Sequence, residues 1–388
     1  MCDIIFKAIR KRIYVFLIPW FMDGGIVFLQ TAMPLLVVRL GASALLLGSI
    51  GWIAQAVRLP VCLLSGHLSE RVGRTAVIVP AACSCAIGCL LMSFAKSPWQ
   101  VMPFYVLALA SIGGFYAPLQ ALIGDVSERG ELRNNLGAFN IGWCAGSAVA
   151  ALVVPILVRL GLNITLYAGA AASLTAAVLV LSWQRASRRK CREQTPDVQE
   201  QHANQSLLLL IARIGHFLSY YGYSTIRIMF PKYAITGMGW SEVTVTWVTA
   251  QHLVGLSLGI MAVSASGWWR SRLWPLAGAQ LVMSASALLA VTAHTPVPVA
   301  IAFFAFGVSQ SVVYTAALYY GISGSGKRGR NAGVHESLVA AGGISGCLVG
   351  GLAAQKIALG APLVILAGLA GLALVVSLIL GFAKKKSV

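Results

Sequence analysis

Gly66-His67-Leu68-Ser69-Glu70-Arg71-Val72-Gly73-Arg74 is a short charged segment between two hydrophobic runs, each long enough to cross a bilayer. Glycine accepts the positive φ that other residues resist, so Gly66 and Gly73 predict a sharp turn just outside the membrane. Between them, Glu70, Arg71 and Arg74 are spaced to hold one another and the adjacent helix ends by charge-assisted hydrogen bonds. The flanking runs say what kind of protein this is. Of 388 residues, 58% are hydrophobic and 10% are charged, whereas a soluble domain carries about 25% charged residues. The chain reads as an all-α integral membrane protein.

A transmembrane helix needs roughly 20 apolar residues. By that measure spans fall near 13–38, 43–65, 75–95, 99–124, 135–159 and 163–183, then near 207–233, 242–266, 273–293, 298–322, 331–357 and 361–382. These are twelve, split six and six by a polar stretch, and they give a bundle 1–184, a linker 185–206 and a bundle 207–388. The first run is too long for a signal-peptide core and lacks a small-residue cleavage site. Of the 29 Lys and Arg, 21 lie at the N-terminus, in alternate loops and the linker, and in the C-terminal tail, against five on the opposite face. The positive-inside rule then puts both termini and the linker in the cytoplasm of a multi-pass protein of the cell membrane. It also accounts for the net charge of +18 without nucleic acid, since no basic domain exists to bind it.

The opening segment resembles the loop 2–3 signature of the major facilitator superfamily of secondary transporters, roughly G-x-L-x-D-R-x-G-R. Gly66, Leu68, Arg71, Gly73 and Arg74 match, and Glu70 stands where the family usually has Asp. The resemblance implies two pseudo-symmetric six-helix bundles, alternating access, and gating by Gly66, Leu68, Glu70, Arg71, Gly73 and Arg74. The halves repeat at a shift of 196, where Gln55 meets Gln251, Arg74 meets Arg270, Asn135 meets Asn331 and Gly146 meets Gly342. Loop 8–9, Gly267-Trp268-Trp269-Arg270-Ser271-Arg272, is then the partner of the opening segment without its acidic residue. Helix 5 (Gly142, Gly146) and helix 11 (Gly342, Gly346, Gly350, Gly351) carry glycines at spacings that let helices approach closely.

Ionisable groups inside spans are functional candidates because they are costly there. Asp23, with Glu336 behind it, is the candidate for proton coupling. A structural partner for an arginine is the bland alternative for Asp23, and Gly24 and Gly25 beside it also read as a bend. Helix 7 bears a stripe of Arg213, His216, Tyr220, Ser224 and Arg227, with Arg213 the candidate clamp for an anionic group and Arg227 placed to snorkel outward. Tyr116 with Gln120 and Gln310 with Tyr314, pairs equally able to tie helices together, complete the substrate candidates along with Asn140, Trp143 and Gln30. The resemblance places helix 2 beside helix 11 and so implies an Arg58–Glu336 latch.

The expected function is secondary active transport of a small polar or anionic organic solute, coupled to protons, by a monomer in the lipid bilayer. An exporter or flippase of amphipathic compounds, and a non-transporting receptor or scaffold, are the rival readings. No enzyme is expected, because no nucleophile–base pair appears. No cofactor or metal is expected either, because Cys83, Cys85 and Cys89 share their run with no histidine or carboxylate. Gly321-Ile322-Ser323-Gly324-Ser325-Gly326-Lys327-Arg328 mimics a phosphate-binding loop but follows a membrane helix, and Arg328 stands where Ser or Thr would ligate magnesium.

Overall fold

A computed structural model describes residues 2–127, 131–186, 205–323 and 328–385. The linker lies largely outside these residues, as does the centre of the phosphate-loop mimic. Every regular element described is helical: α1 (Cys2–Arg39), α2 (Ala44–Val72), α3 (Arg74–Met92), α4 (Pro98–Val126), α5 (Leu132–Leu160), α6 (Leu162–Ala186), α7 (Gln205–Ser224), α8 (Glu242–Ala265), α9 (Trp274–Thr292), α10 (Pro296–Ser323), α11 (Arg328–Lys356) and α12 (Ala361–Lys385). Eleven are long and apolar enough, uninterrupted, to cross a membrane. The remaining span is α7, which continues through π-helical turns at Thr225–Met229 and Tyr233–Gly237 on either side of Phe230–Lys232. Pro231 cannot donate a helical hydrogen bond, and the wider turns sit on both sides of it.

The chain forms two compact units, Met1–Gly41 with Ile53–Pro196, and Ala42–Trp52 with Asp197–Val388. Residues 42–52 therefore fall in the second unit. Their small residues explain it. A Cβ on Gly51 would come 2.6 Å from Cys347 Sγ, and one on Gly48 would come 2.8 Å from the Gly351 Cα. The Lys232 ammonium also donates to the Ala42 carbonyl at 2.7 Å.

Within the first unit α1 packs on α5 and α6, and α3 packs on α4 and α6. Within the second, α7 packs on α11 and α12, and α9 on α10 and α12. Glycines set the contacts. Gly142 and Gly146 bring α5 onto the backbone of α1 at Phe16 and Trp20, while Gly342 and Gly346 bring α11 onto α7 at Phe217 and Tyr221. The glycine pairs are thus 200 residues apart (142 and 342, 146 and 346). That is about one helical turn from the register in which Gly146 meets Gly342 and Asn140 meets Glu336, so Ala340 stands opposite Asn140 instead. Gly113 against the Arg58 carbonyl and Gly307 against the His252 carbonyl set α4 and α10 at a separation of 194. No single shift describes the repeat, because loops of unequal length separate the helices.

α1 runs unbroken through Gly24 and Gly25. They are points of close approach, with a Cβ on Gly25 falling 2.7 Å from Ser173 Oγ and 3.0 Å from the Gly169 carbonyl. The turn after α2 is also simpler than expected. Gly66 lies inside the helix with open space around it, and Gly73 alone turns the chain, at φ 99°.

These environments predict opposite outcomes for three substitutions, read as unfolding temperature in detergent. Gly66→Ala raises it, since alanine in a helix interior is better by about 0.5–1 kcal/mol. Gly73→Ala lowers it, by the roughly 1–3 kcal/mol that a sparsely populated backbone region costs an L-residue. Gly146→Leu lowers it further, by at least the ~1–3 kcal/mol of an overpacked core.

Candidate functional site

Asp23 sits in α1 between α4 and α5. One carboxylate oxygen accepts from the Tyr116 hydroxyl and the other faces Ser147 Oγ at 3.5 Å. The Gly146 contact is what brings Ser147 to α1, and the Phe115 and Phe139 rings enclose Tyr116 edge-on. Arg58 of α2 acts electrostatically on Asp23, and its guanidinium reaches Gln55 Oε1 at 3.4 Å. A half-buried carboxylate thus has two hydroxyl donors and a cation in its field. Tyr116 was expected to meet substrate, and the structure puts its hydroxyl on Asp23. Ser147 was not expected as a partner at all; in the sequence it reads only as a small residue after Gly146.

The second unit gathers a different set. Arg213, His216 and Tyr220 lie along α7. His216 stacks on His335 of α11 with ring centres 4.1 Å apart and planes 17° from parallel. Tyr220 stands edge-on to His216 at 5.2 Å, and Tyr314 of α10 stands edge-on to both histidines, at 5.6 and 5.0 Å. Arg213 acts electrostatically on His335. A helical turn along α7 a second group forms. His252 Nε2 meets Gln310 Oε1 at 2.7 Å, its ring edge-on to Tyr223 and Phe306. Arg227 is 3% exposed, in the first π-helical turn and electrostatically linked to His252. Its burial is at odds with snorkelling, which its place towards the outer end of the span had suggested, and agrees with the inward-facing stripe. Gln280 of α9 is fully buried against α7 at Gly215. His252 and Gln280 went unremarked in the sequence, where nothing marks two residues on different helices as neighbours.

The other candidates scatter. Gln30 is buried in α1, Gln120 and Glu336 are exposed, and Asn140 is exposed with the Trp143 indole donating to it at 3.2 Å. Among the described residues no three His, Cys, Asp or Glu side chains group as metal ligands.

The loop segment is held differently from the expected triad. Arg74 pairs with Asp125 at the end of α4 through Nε at 3.1 Å and donates to Ser69 Oγ at 2.8 Å. Glu70, largely exposed, is 3.9 Å from Arg74, and Arg71 and Leu68 face outward. Lys11 pairs with Glu131 at 2.8 Å nearby. In the second unit Arg270 takes the place of Arg74, but its guanidinium lies over the rings of Trp269 and Tyr319, at 5.8 and 5.0 Å. Tyr319 is 194 residues after Asp125, the α4–α10 separation. A ring face has replaced a carboxylate, by a cation–π contact.

The Major Facilitator Superfamily family profile matches residues 15–346. The chain belongs to the major facilitator superfamily. As a superfamily member it is a multi-pass membrane protein with the fold of that family. It resembles a gentisate transporter of Corynebacterium glutamicum, 26% identical over 152 residues, covering 38% of this chain and 34% of that one. It also resembles the multidrug resistance protein MdtG of Serratia proteamaculans, 29% identical over 182 residues, 44% of this chain and 43% of that one. A minor myo-inositol transporter of Bacillus subtilis is 26% identical over 159 residues, 40% and 36% of the two chains. The chain therefore spans less than half the length of each of these relatives. Among solved structures, the POT family transporter PepTSo superposes with TM-score 0.75 at 12% identity, covering 97% of this chain and 98% of that one. A bacterial homologue of the human lysosomal transporter Spinster does so at 0.71 and 13% identity, covering 96% of each.

The loop geometry predicts which acid holds Arg74. Asp125→Asn should lower the unfolding temperature and expose the segment around Gly73 to limited proteolysis. Glu70→Gln should change both little, since an exposed pair contributes at most about 1 kcal/mol.

Proposed function

We propose that this protein carries a small polar or anionic organic solute across the cell membrane, coupled to protons. It works as a monomer by alternating access of residues 1–184 and 207–388, with both termini cytoplasmic. Asp23 is the proton carrier and Arg213 the substrate clamp, with Glu336 in a lesser coupling role. The observation that carries this is the company Asp23 keeps. An ionised carboxylate in a membrane span is costly, and Tyr116, Ser147 and Arg58 offset that cost. A carrier needs an acid of this kind, one whose ionised form is tolerated within the span. The resemblance to transporters of gentisate and of myo-inositol supports polar or anionic cargo. A second reading, export of amphipathic compounds, draws on the resemblance to a multidrug resistance protein. In that case substrate enters from the membrane and Arg213 matters little.

The deciding experiment is proton release by the purified protein in detergent on addition of sugars, organic acids, amino acids or hydrophobic cations. A pH change with one class, lost in Asp23→Asn and reduced in Tyr116→Phe, is expected. Release that persists undiminished in Asp23→Asn would overturn the role of Asp23. A response to hydrophobic cations alone, unchanged in Arg213→Gln, would favour the exporter.

A further inference from the structure

The loop between α8 and α9 carries positive charge without an acid of its own. In the first unit Arg74 is paired with Asp125. Its counterpart Arg270 lies over the rings of Trp269 and Tyr319, and ring faces attract a cation without cancelling its charge. Two residues on, Arg272 is exposed as well. Between Val243 and Val388 the sequence has one acid, Glu336. Among the described residues no carboxylate pairs with either arginine.

Aromatic rings surround this charge. Trp268 and Trp274 stack with ring centres 5.1 Å apart and planes 29° from parallel, yet stay 42% and 59% exposed. The loop between them is held in shape. Ser271 takes φ 56° and its N–H donates to the Tyr320 hydroxyl at 2.9 Å, while the Trp269 indole donates to the Val263 carbonyl at 2.9 Å. Gly381 of α12 receives the Leu273 side chain, so the last turn of α12, with Lys384 and Lys385, lies beside the loop. Phe382 in that turn is 66% exposed. Three membrane-length helices thus have one end each here: Ala265 of α8, Trp274 of α9 and Ala383 of α12.

We propose that Arg270, Arg272 and the basic end of α12 hold the phosphate of an anionic phospholipid, with the Trp268–Trp274 pair seated among the headgroups. Tryptophan is enriched at that depth of a bilayer, where its ring meets apolar chains and its N–H meets water. The charge bias that puts this end in the cytoplasm also puts it at the leaflet carrying anionic lipid. The lipid then supplies the anion that Asp125 supplies in the first unit. A bilayer lipid suits the site better than a soluble phosphate, because a small water-borne anion leaves the paired indoles exposed.

The test reads the tryptophan fluorescence of the full-length protein in phosphatidylcholine vesicles. A rising share of the lipid is replaced by acyl-brominated phosphatidylglycerol or, in parallel, by acyl-brominated phosphatidylcholine. Bromine quenches the indoles it touches, so lipid gathered at this loop shows as extra, saturable quenching by the phosphatidylglycerol. That excess should vanish when Trp268→Phe and Trp274→Phe together remove the reporters. Its midpoint should move about fivefold to higher lipid in Arg272→Gln, the factor that about 1 kcal/mol per basic residue gives, and again when Arg270→Gln is added. Arg272 has no hydrogen bond or ion pair among the described residues, so its substitution leaves the fold intact. Glycerol 3-phosphate added to the buffer should leave the excess in place. Equal quenching by the two lipids, an excess that survives loss of both tryptophans, an unmoved midpoint in the arginine variants, or displacement by glycerol 3-phosphate would overturn the site. No solute is present, so the outcome is independent of the transport reading.

Discussion

Helices in lipid gain little by hiding apolar surface from one another, because the solvent is as apolar as they are. What joins them is close approach, and here that approach is made of missing side chains. Gly142 and Gly146 let α5 reach the α1 backbone at Phe16 and Trp20, and Gly342 and Gly346 do the same for α11 on α7. The polar chemistry follows from these contacts. Ser147 reaches Asp23 because Gly146 beside it has no Cβ. The His335 ring lies on His216 two turns from where Gly342 meets Phe217.

The same framework carries unlike chemistry in its two halves. The first unit holds a carboxylate with hydroxyl donors and one arginine in its field. The second buries histidines, glutamines and an arginine, with no buried acid among its described residues. Residues at corresponding places differ in kind: Tyr116, which donates to Asp23, corresponds to Gln310, which meets His252, and Arg58 corresponds to His252 itself. The loops show the same divergence, with Arg74 on a carboxylate and Arg270 on ring faces. A duplicated scaffold tolerates this because its packing depends on the glycines, not on the residues lining its polar interior.

The spans, their six-and-six division and the family were legible in the chain, since each depends on local composition or on a short motif. Asp23 was legible too, because a lone acid in an apolar run stands out. Its partners were not. Tyr116 and Ser147 come from helices 93 and 124 residues away, and nothing in a hydroxyl's neighbourhood in sequence says which acid it serves. Asp125 was overlooked for the same reason: Glu70 lies closer to Arg74 along the chain, while Asp125 lies closer in space. The repeat register slipped by one turn because matching letters ignore loop lengths, whereas glycine contacts do not. Arg227 was placed to snorkel by its depth in the span, and its burial depends on how the helices pack around it.

By itself, then, the sequence determined that this is a helical membrane protein of a duplicated transporter family with one acid in its first span, since hydrophobicity, charge count and turn chemistry act over a few residues. Only the tertiary structure decided which groups surround that acid, which acid holds Arg74, and that two histidines 119 residues apart share one stack. Those are contacts between helices remote in sequence, set by where backbones can touch, and close approach is a property of the assembled bundle.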